Sequence, residues 1–340
     1  MRFSIGYQLP DALDSTYELC ADYDRYVSDV YFSWSSEPSG RFALCGESDR
    51  EEVEQIQLEE LRAIRGLGKT LTLLLNANCY GGEAVSATLQ KRVLGLVEFL
   101  KKELDLTQIT TTSPFIADTL KQAFGADIQI RASVNMRIGS IAAMEQLAGS
   151  FDGYYLKKEC NRDFAAIERL HGWCRDHGKT LHLLANSGCL HECAFQTFHD
   201  NLIAHQKDGS GDMGVATGFP APCHKYLHGL ERREALAKFM QSNWIRPEDI
   251  HRYEPYFGEV KLATRMHNRP RMVLAAYCRG RFDGNLLDLT EPSYSHLFAG
   301  TVLDNTRLAD DWFERALGCG KRCGDCTVCR EAAEEITSYY

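Results

Sequence analysis

The sequence predicts an α/β protein of TIM type: a (β/α)8 barrel with an enlarged loop after the seventh strand and a cysteine-rich C-terminal extension. Three observations predict it. Eight short apolar or β-branched runs recur along the chain. Charge-rich segments with apolar residues near the 3.6 period separate them, as amphipathic helices do. The runs are apolar without strict alternation, which suits strands covered on both faces and therefore paired in parallel. An open doubly wound sheet is the alternative. However, the first run continues into Gln8-Leu9-Pro10, not into the Gly-rich turn with which such sheets hold phosphate.

In chain order, the predicted strands cover residues 2–7, 27–32, 70–75, 108–111, 128–133, 153–156, 180–184 and 259–263, with helices over 51–66, 83–103, 113–124, 140–148 and 163–177. The connection after strand seven runs from Asn186 to Glu259, far beyond the roughly 2–6 residues of an ordinary strand-to-helix loop. Barrel sites lie at the carboxyl ends of the strands, so a long loop there covers or supplies the site. This insertion, 186–243, ends at Trp244-Ile245-Arg246-Pro247-Glu248-Asp249, which reads as a helix start. Pro247 suits a first turn, and the two acids favour the positive end of the helix dipole. Composition changes after Leu289, which divides the chain into a barrel, 1–289, and a cysteine-rich extension, 290–340, with a helix-like 330–336.

A chain of 340 residues with 44% hydrophobic content can bury a large core, and its net charge of -9 opposes a broad basic surface. Nucleic acid is therefore not the favoured partner. The N-terminus enters a strand without a signal-peptide core, and no apolar run is long enough for a membrane span, so a cytoplasmic protein is expected. Thirteen cysteines in a reducing compartment point to metal ligation more than to disulfides. Cys20, Cys79, Cys160, Cys174 and Cys278 stand alone in the sequence and read as small buried apolar residues.

The others are clustered. Cys319, Cys323, Cys326 and Cys329 follow one another with three, two and two residues between. Zinc fingers and ribbons separate their pairs by a longer stretch. A compact all-thiolate run is closer to iron–sulfur ligation, with zinc as the alternative. In the insertion, Cys189 and Cys193 are four apart, which on a helical turn places both on one face. Cys223 lies in the same insertion, and Cys45, after strand two, would reach the same barrel mouth. His191, His199 and His224 are further donors nearby in sequence. Just past the predicted strand ends come Tyr7, Gln8, Asn76, Asn78, Asn135, Arg137, Glu159, Asn161, Arg162, Asn186 and Arg265. Of these, Asn76, Asn135, Arg137, Glu159, Arg162 and Arg265 are the expected catalytic or substrate-positioning set. The arginines suit a carboxylate or phosphate through their bidentate fork. No Gly-x-Ser-x-Gly elbow occurs, and His191-Glu192 lacks the second histidine of a zinc-protease helix.

The Ile245-Arg246-Pro247-Glu248-Asp249 segment, followed by Lys261-Leu262-Ala263-Thr264-Arg265, resembles the passage through the lysine-to-arginine strand motif of the U32 peptidase-like family. The eight-strand order and the cysteine-bearing insertion resemble it too, over about residues 1 to 290. The family's acid-aromatic-Gly lead into a cysteine is not reproduced around Cys189. The resemblance implies a 4Fe-4S cluster held by scattered cysteines, here Cys45, Cys189, Cys193 and Cys223, so that one or two clusters are expected with the tail. It also implies redox chemistry such as oxygen-independent hydroxylation, found in U32-like proteins that act on quinone precursors and on RNA, where prephenate can supply the oxygen. A small anionic or aromatic substrate and an electron donor or partner subunit follow from that reading. A U32-type peptidase and a non-catalytic iron–sulfur or zinc accessory protein are the alternatives.

Overall fold

A computed structural model describes residues 1–10, 14–35, 37–40, 49–205 and 222–340. Eight strands form one parallel sheet: β1 (Arg2–Gly6), β2 (Val27–Phe32), β3 (Thr70–Leu75), β4 (Gln108–Thr111), β5 (Gln129–Ala132), β6 (Gly153–Tyr155), β7 (Thr180–His182) and β8 (Glu259–Lys261). Each pairs with its sequence neighbour from β1 to β7, and β8 pairs with β1. The sheet closes where Lys261 N–H donates to the Leu183 carbonyl at 2.9 Å and Ala185 N–H to the Lys261 carbonyl at 3.0 Å. That closure, with helices between strands, is the TIM-type barrel expected from the sequence.

Around it lie α1 (Thr16–Asp22), α2 (Arg50–Gly66), α3 (Ala87–Leu104), α4 (Pro114–Phe124), α5 (Ile141–Leu147) and α6 (Phe164–Asp176). Their starts are written in the sequence. The Ser113 hydroxyl accepts from Ile116 N–H and Pro114 occupies the first turn of α4; Ser86 caps α3 in the same way, which sets its start at Ala87. The long connection after β7 holds α7 (Gln196–Ala204), α8 (Pro222–His228) and α9 (Arg232–Gln241). The expected helix at Pro247 is a 3-10 segment, Pro247–Tyr253. After β8 come α10 (Pro270–Arg279), β9 (Thr301–Leu303), α11 (Trp312–Gly318), α12 (Val328–Ile336) and β10 (Thr337–Tyr339). The last strand pairs antiparallel with β9, and α12 packs along α9. Among the described residues, no helix is long and apolar enough to cross a membrane.

The strands divide their residues between two environments. One alternating set, including Phe3, Ile5, Val30, Leu71, Ile109 and Ile130, is buried in the apolar core with the helices. The other set meets inside the barrel and is polar. Ser4 and Thr72 hydroxyls both donate to the Asp29 carboxylate, and the Lys261 ammonium lies over the ring of Tyr31 at 3.6 Å and that of Tyr155 at 5.1 Å. The Arg131 charge acts on Asp29, Tyr155 and His182 alike. Most barrels fill this space with branched apolar side chains; here a charge and hydrogen-bond network fills it.

Burial, reinforced by the nearby Glu259, pushes the Asp29 carboxyl up to about 6, although Arg131 and the two hydroxyls oppose the shift. A carboxyl raised in this way holds its proton more tightly folded than unfolded, where its value is about 3.9. Its contribution to stability therefore falls as pH climbs from about 4 to about 6 and stays low above that. Asp29→Asn removes that dependence. In urea unfolding, the stability of D29N relative to wild type is expected to be greater at pH 8 than at pH 4; a difference that does not change with pH would show that the carboxyl is not raised.

Candidate active site

The carboxyl ends of the strands form one mouth, and part of the predicted set meets there. Asn76, past β3, accepts from Gly40 N–H at 3.0 Å. A side-chain carbon on Gly40 would lie 2.8 Å from the amide nitrogen of Asn135 and 3.1 Å from that of Asn76, so both asparagines crowd this glycine. Buried Arg265, past β8, donates to the Ser39 hydroxyl at 3.2 Å in the same segment. Its backbone passes so close to β1 that any carbon on Gly6 would fall within 2.6 Å of Arg265 N, which leaves room only for glycine. Asn76, Asn135 and Arg265 thus converge on Ser39 and Gly40.

Arg137 has a left-handed backbone (φ 55) that turns its side chain toward α7. It donates to Thr197 at 3.0 Å and pairs with Asp200 at 3.4 Å, while Asn78 donates to the same carboxylate at 3.2 Å. Helix α7 therefore lies across the β3 and β5 ends of the mouth. Glu159 is buried past β6, 4.0 Å from the Lys157 ammonium. Arg162 does not join these residues. Its guanidinium donates to the Met240 and Trp244 carbonyls at 3.1 and 2.7 Å and lies over the Trp244 and Trp312 rings at 5.1 and 5.5 Å. Burial, the dominant influence, lowers its pKa.

Two other asparagines of the mouth list act as clamps. The Asn186 amide donates to the Ala263 and Leu289 carbonyls at 3.0 and 3.2 Å and accepts from Ala263 N–H at 2.6 Å. Asn161 donates to the Leu184 and Asn243 carbonyls at 2.8 and 2.9 Å.

Beyond Asn186, the chain runs beside residues 290–294. Gly188 N–H donates to the Glu291 carbonyl at 3.0 Å, and a side chain on Gly188 would strike the Pro292 carbonyl at 2.6 Å. This close passage sets Cys189 against Tyr294. Cys189 and Cys193 are not on a helix as expected: Glu192 between them is left-handed (φ 47), its carboxylate held by Lys157 at 3.0 Å, so the segment is a turn. The charge of Cys189 still acts on Cys193, on Cys223 of α8 and on the Tyr294 hydroxyl, and that of Cys193 acts on the latter two. Burial first, then its neighbouring thiols, pushes Cys223 up to about 11. The Tyr294 hydroxyl is fully buried and has no hydrogen-bond partner among the described residues. Cys45 lies outside the described residues. His191 is held by Asn243 at 3.0 Å, and His224 stacks near His296 and Tyr294 at 5.4 and 6.0 Å.

The tail thiols gather in the turn between α11 and α12. All four are partly exposed, and each of Cys319, Cys323 and Cys326 acts electrostatically on Cys329. Burial pushes Cys329 up to about 11 against the pull of Arg162. Among the described residues, no three Cys, His, Asp or Glu side chains stand as a ready-made metal cage.

One group escapes a sequence reading. Cys20 and Cys174 are buried as expected of packing cysteines, but Cys79, just past β3, is not. Gly81 N–H donates to its sulfur at 3.4 Å and the His205 side chain hydrogen-bonds it. Those two bonds, with the nearby imidazole charge, lower the Cys79 thiol below its ordinary value. Its position at a strand end is the one signal the sequence carried; His205 sits far along the chain at the end of α7.

No family model matches the chain. It is 23% identical over 315 residues to an uncharacterized protease of Methanocaldococcus jannaschii, covering 87% of this chain and 84% of that one. Among solved structures, the U32 peptidase Mk0906 shares the fold with a TM-score of 0.55 and 12% identity, over 78% of this chain and 93% of that one.

Asn186→Ala would leave a buried N–H and two carbonyls without partners at the seam of β7 and β8. A loss of about 3 kcal/mol is expected in denaturant unfolding, whereas a change within about 0.5 kcal/mol would show that the clamp is replaceable.

Proposed function

We propose that this chain, U32 peptidase-like in sequence and in barrel architecture, is an iron–sulfur enzyme that works at the barrel mouth on a small anionic or aromatic substrate by redox chemistry of the oxygen-independent hydroxylation type. The observation that carries the reading is the buried hydroxyl of Tyr294, which has no hydrogen-bond partner among the described residues and on which the charges of Cys189, Cys223 and Cys193 all act. A buried hydroxyl without a partner is costly, and a thiolate-bound centre would offer the missing acceptor. The donor set fits in kind: three thiols from the turn before α7 and from α8, with Cys45 as the fourth ligand that the family resemblance implies. When bound, a 4Fe-4S cluster supplies one-electron chemistry at its iron.

The chain's own residues do the rest. Arg265, buried beside Ser39, would hold an anionic group, while Asn76 and Asn135 orient the substrate by amide hydrogen bonds without exchanging protons. Glu159 stands as the carboxylate past β6, beside Lys157. Arg137 keeps α7 across the mouth through Asp200, limiting water. Arg162 supports the structure around Trp244 and does not touch the substrate. Hydroxylation takes two electrons from the substrate, so an oxygen donor that accepts them is part of the proposal, with an electron donor or partner subunit setting the oxidation state of the cluster; a cytoplasmic setting belongs to it too, and the net charge of -9 does not favour a nucleic-acid partner.

Protein purified without oxygen should carry iron and sulfide with a broad visible absorption. Cys189→Ala and Cys193→Ala should each lose the mouth's share of iron; full retention by both would remove the mouth cluster from the reading.

A second reading, peptidase, is favoured by the Cys79–His205 pair. The imidazole would take the thiol proton, the sulfur would attack the peptide carbonyl carbon, and the imidazolium would return the proton to the departing amine. Water then hydrolyses the thioester. Under this reading peptide cleavage without reductant is abolished by Cys79→Ala and His205→Ala but survives Cys189→Ala. Cleavage that persists in C79A would refute it.

A further inference from the structure

The four tail cysteines stand apart from the mouth, on different elements, and their surroundings are unusual in charge. Cys319 closes α11, Cys323 and Cys326 lie in the turn, and Cys329 is in the first turn of α12. The chain doubles back between the first two because Gly320 and Lys321 are both left-handed, with φ of 65 and 55. For Lys321 this is an uncommon backbone state, and its side chain is tied down: the ammonium donates to the Glu159 carbonyl at 3.4 Å and pairs with Asp163 at 3.7 Å. The flanking helices are joined by Arg315, which reaches Glu331 at 3.4 Å and Glu335 at 3.8 Å on α12. Cys326 and Cys329 are three residues apart across the start of α12, and the charge of Cys326 acts on Cys329. The turn is thus braced on both sides, as a ligand cage needs.

Beneath it lies Arg162. This guanidinium is buried between Trp244 and Trp312, and the hydrogen bonds it makes go to backbone carbonyls. No carboxylate lies within ion-pair distance of it among the described residues. The groups acting most strongly on it are the Cys329 sulfur, then the Tyr253 hydroxyl and the Asp249 carboxylate, then Cys319. Lys238 on α9 acts on Cys323. A buried cation whose carboxylate neighbour, Asp249, stands beyond ion-pair distance is expensive. Four thiolates around a divalent ion carry a net charge of about minus two, and an iron–sulfur cluster with four thiolates is likewise anionic. Either would add the negative charge that Asp249 only partly supplies.

We propose that Cys319, Cys323, Cys326 and Cys329 form one tetrathiolate metal site, of iron–sulfur or zinc type, whose negative charge is met by the buried Arg162. The site joins α11 and α12 to the loop after β6, and it is independent of what the mouth thiols bind.

The test uses the full chain, produced with iron and zinc available and purified without oxygen. Iron, sulfide and zinc are quantified in wild type, Cys326→Ala, Cys329→Ala and Cys189→Ala. C326A and C329A should each lose the same complement of metal, whereas C189A keeps it; iron with sulfide identifies a cluster and zinc alone a simple ion. Iodoacetamide labelling of wild type, mapped by mass spectrometry, requires no variant to fold. The four tail thiols should resist labelling at least tenfold more before metal is stripped than after. Arg162→Met should shed the metal to a chelator several-fold faster than wild type, and Arg162→Lys should restore most of the retention. Equal labelling before and after stripping, or a C326A protein with the wild-type metal content, overturns the proposal.

Discussion

The barrel depends on a seam that its shortest strands cannot make alone. β7 and β8 have three residues each, and they meet through a single bridge between Leu184 and Lys261. The Asn186 amide completes the join. Fully buried, the amide satisfies both backbone groups of Ala263 and reaches the carbonyl of Leu289. One side chain therefore ties strand seven, strand eight and Leu289, the last residue before the C-terminal extension. The backbone just beyond it pairs with Glu291, and only after that do the first thiols appear. The position of Cys189 is thus a consequence of how the barrel is closed.

Inside the barrel, polarity replaces the usual apolar filling, and this changes what the mouth rests on. Asp29, Arg131 and His182 are buried, with half-buried Lys261 beside them, in a low-dielectric space where charges act over longer distances than at a surface. Burial together with Arg131 and Lys261 holds His182 neutral, well below its ordinary range. An apolar plug would give a mouth like Asn76, Asn135 and Arg265 only local partners. A connected polar floor links the site to the whole barrel interior.

The sequence disclosed the barrel because strand and helix periods are local: every predicted strand is present, with ends moved by a residue or two. What it could not disclose is direction. Arg162, Asn161 and Asn186 all follow strand ends, so position alone assigns them to the mouth. The structure turns Arg162 outward under Trp244 and uses the two asparagines on backbone groups. Cys79 and His205 show the converse, since a lone cysteine and a lone histidine have no periodic relation and only the placement of α7 brings them together. The clustering of the tail thiols was legible because it is itself local. The placement of Arg162, whose charge acts on Cys329, was not.

The loop after β6 is short, yet its two ends serve different regions. The Glu159 carboxylate lies by Lys157, and Arg162, three residues on, lies under the tail turn, with the Glu159 carbonyl itself gripped by Lys321 from that turn. Within four residues, the same stretch of backbone therefore supplies a carboxylate to Lys157, a carbonyl to Lys321 and a guanidinium to the tryptophan pair.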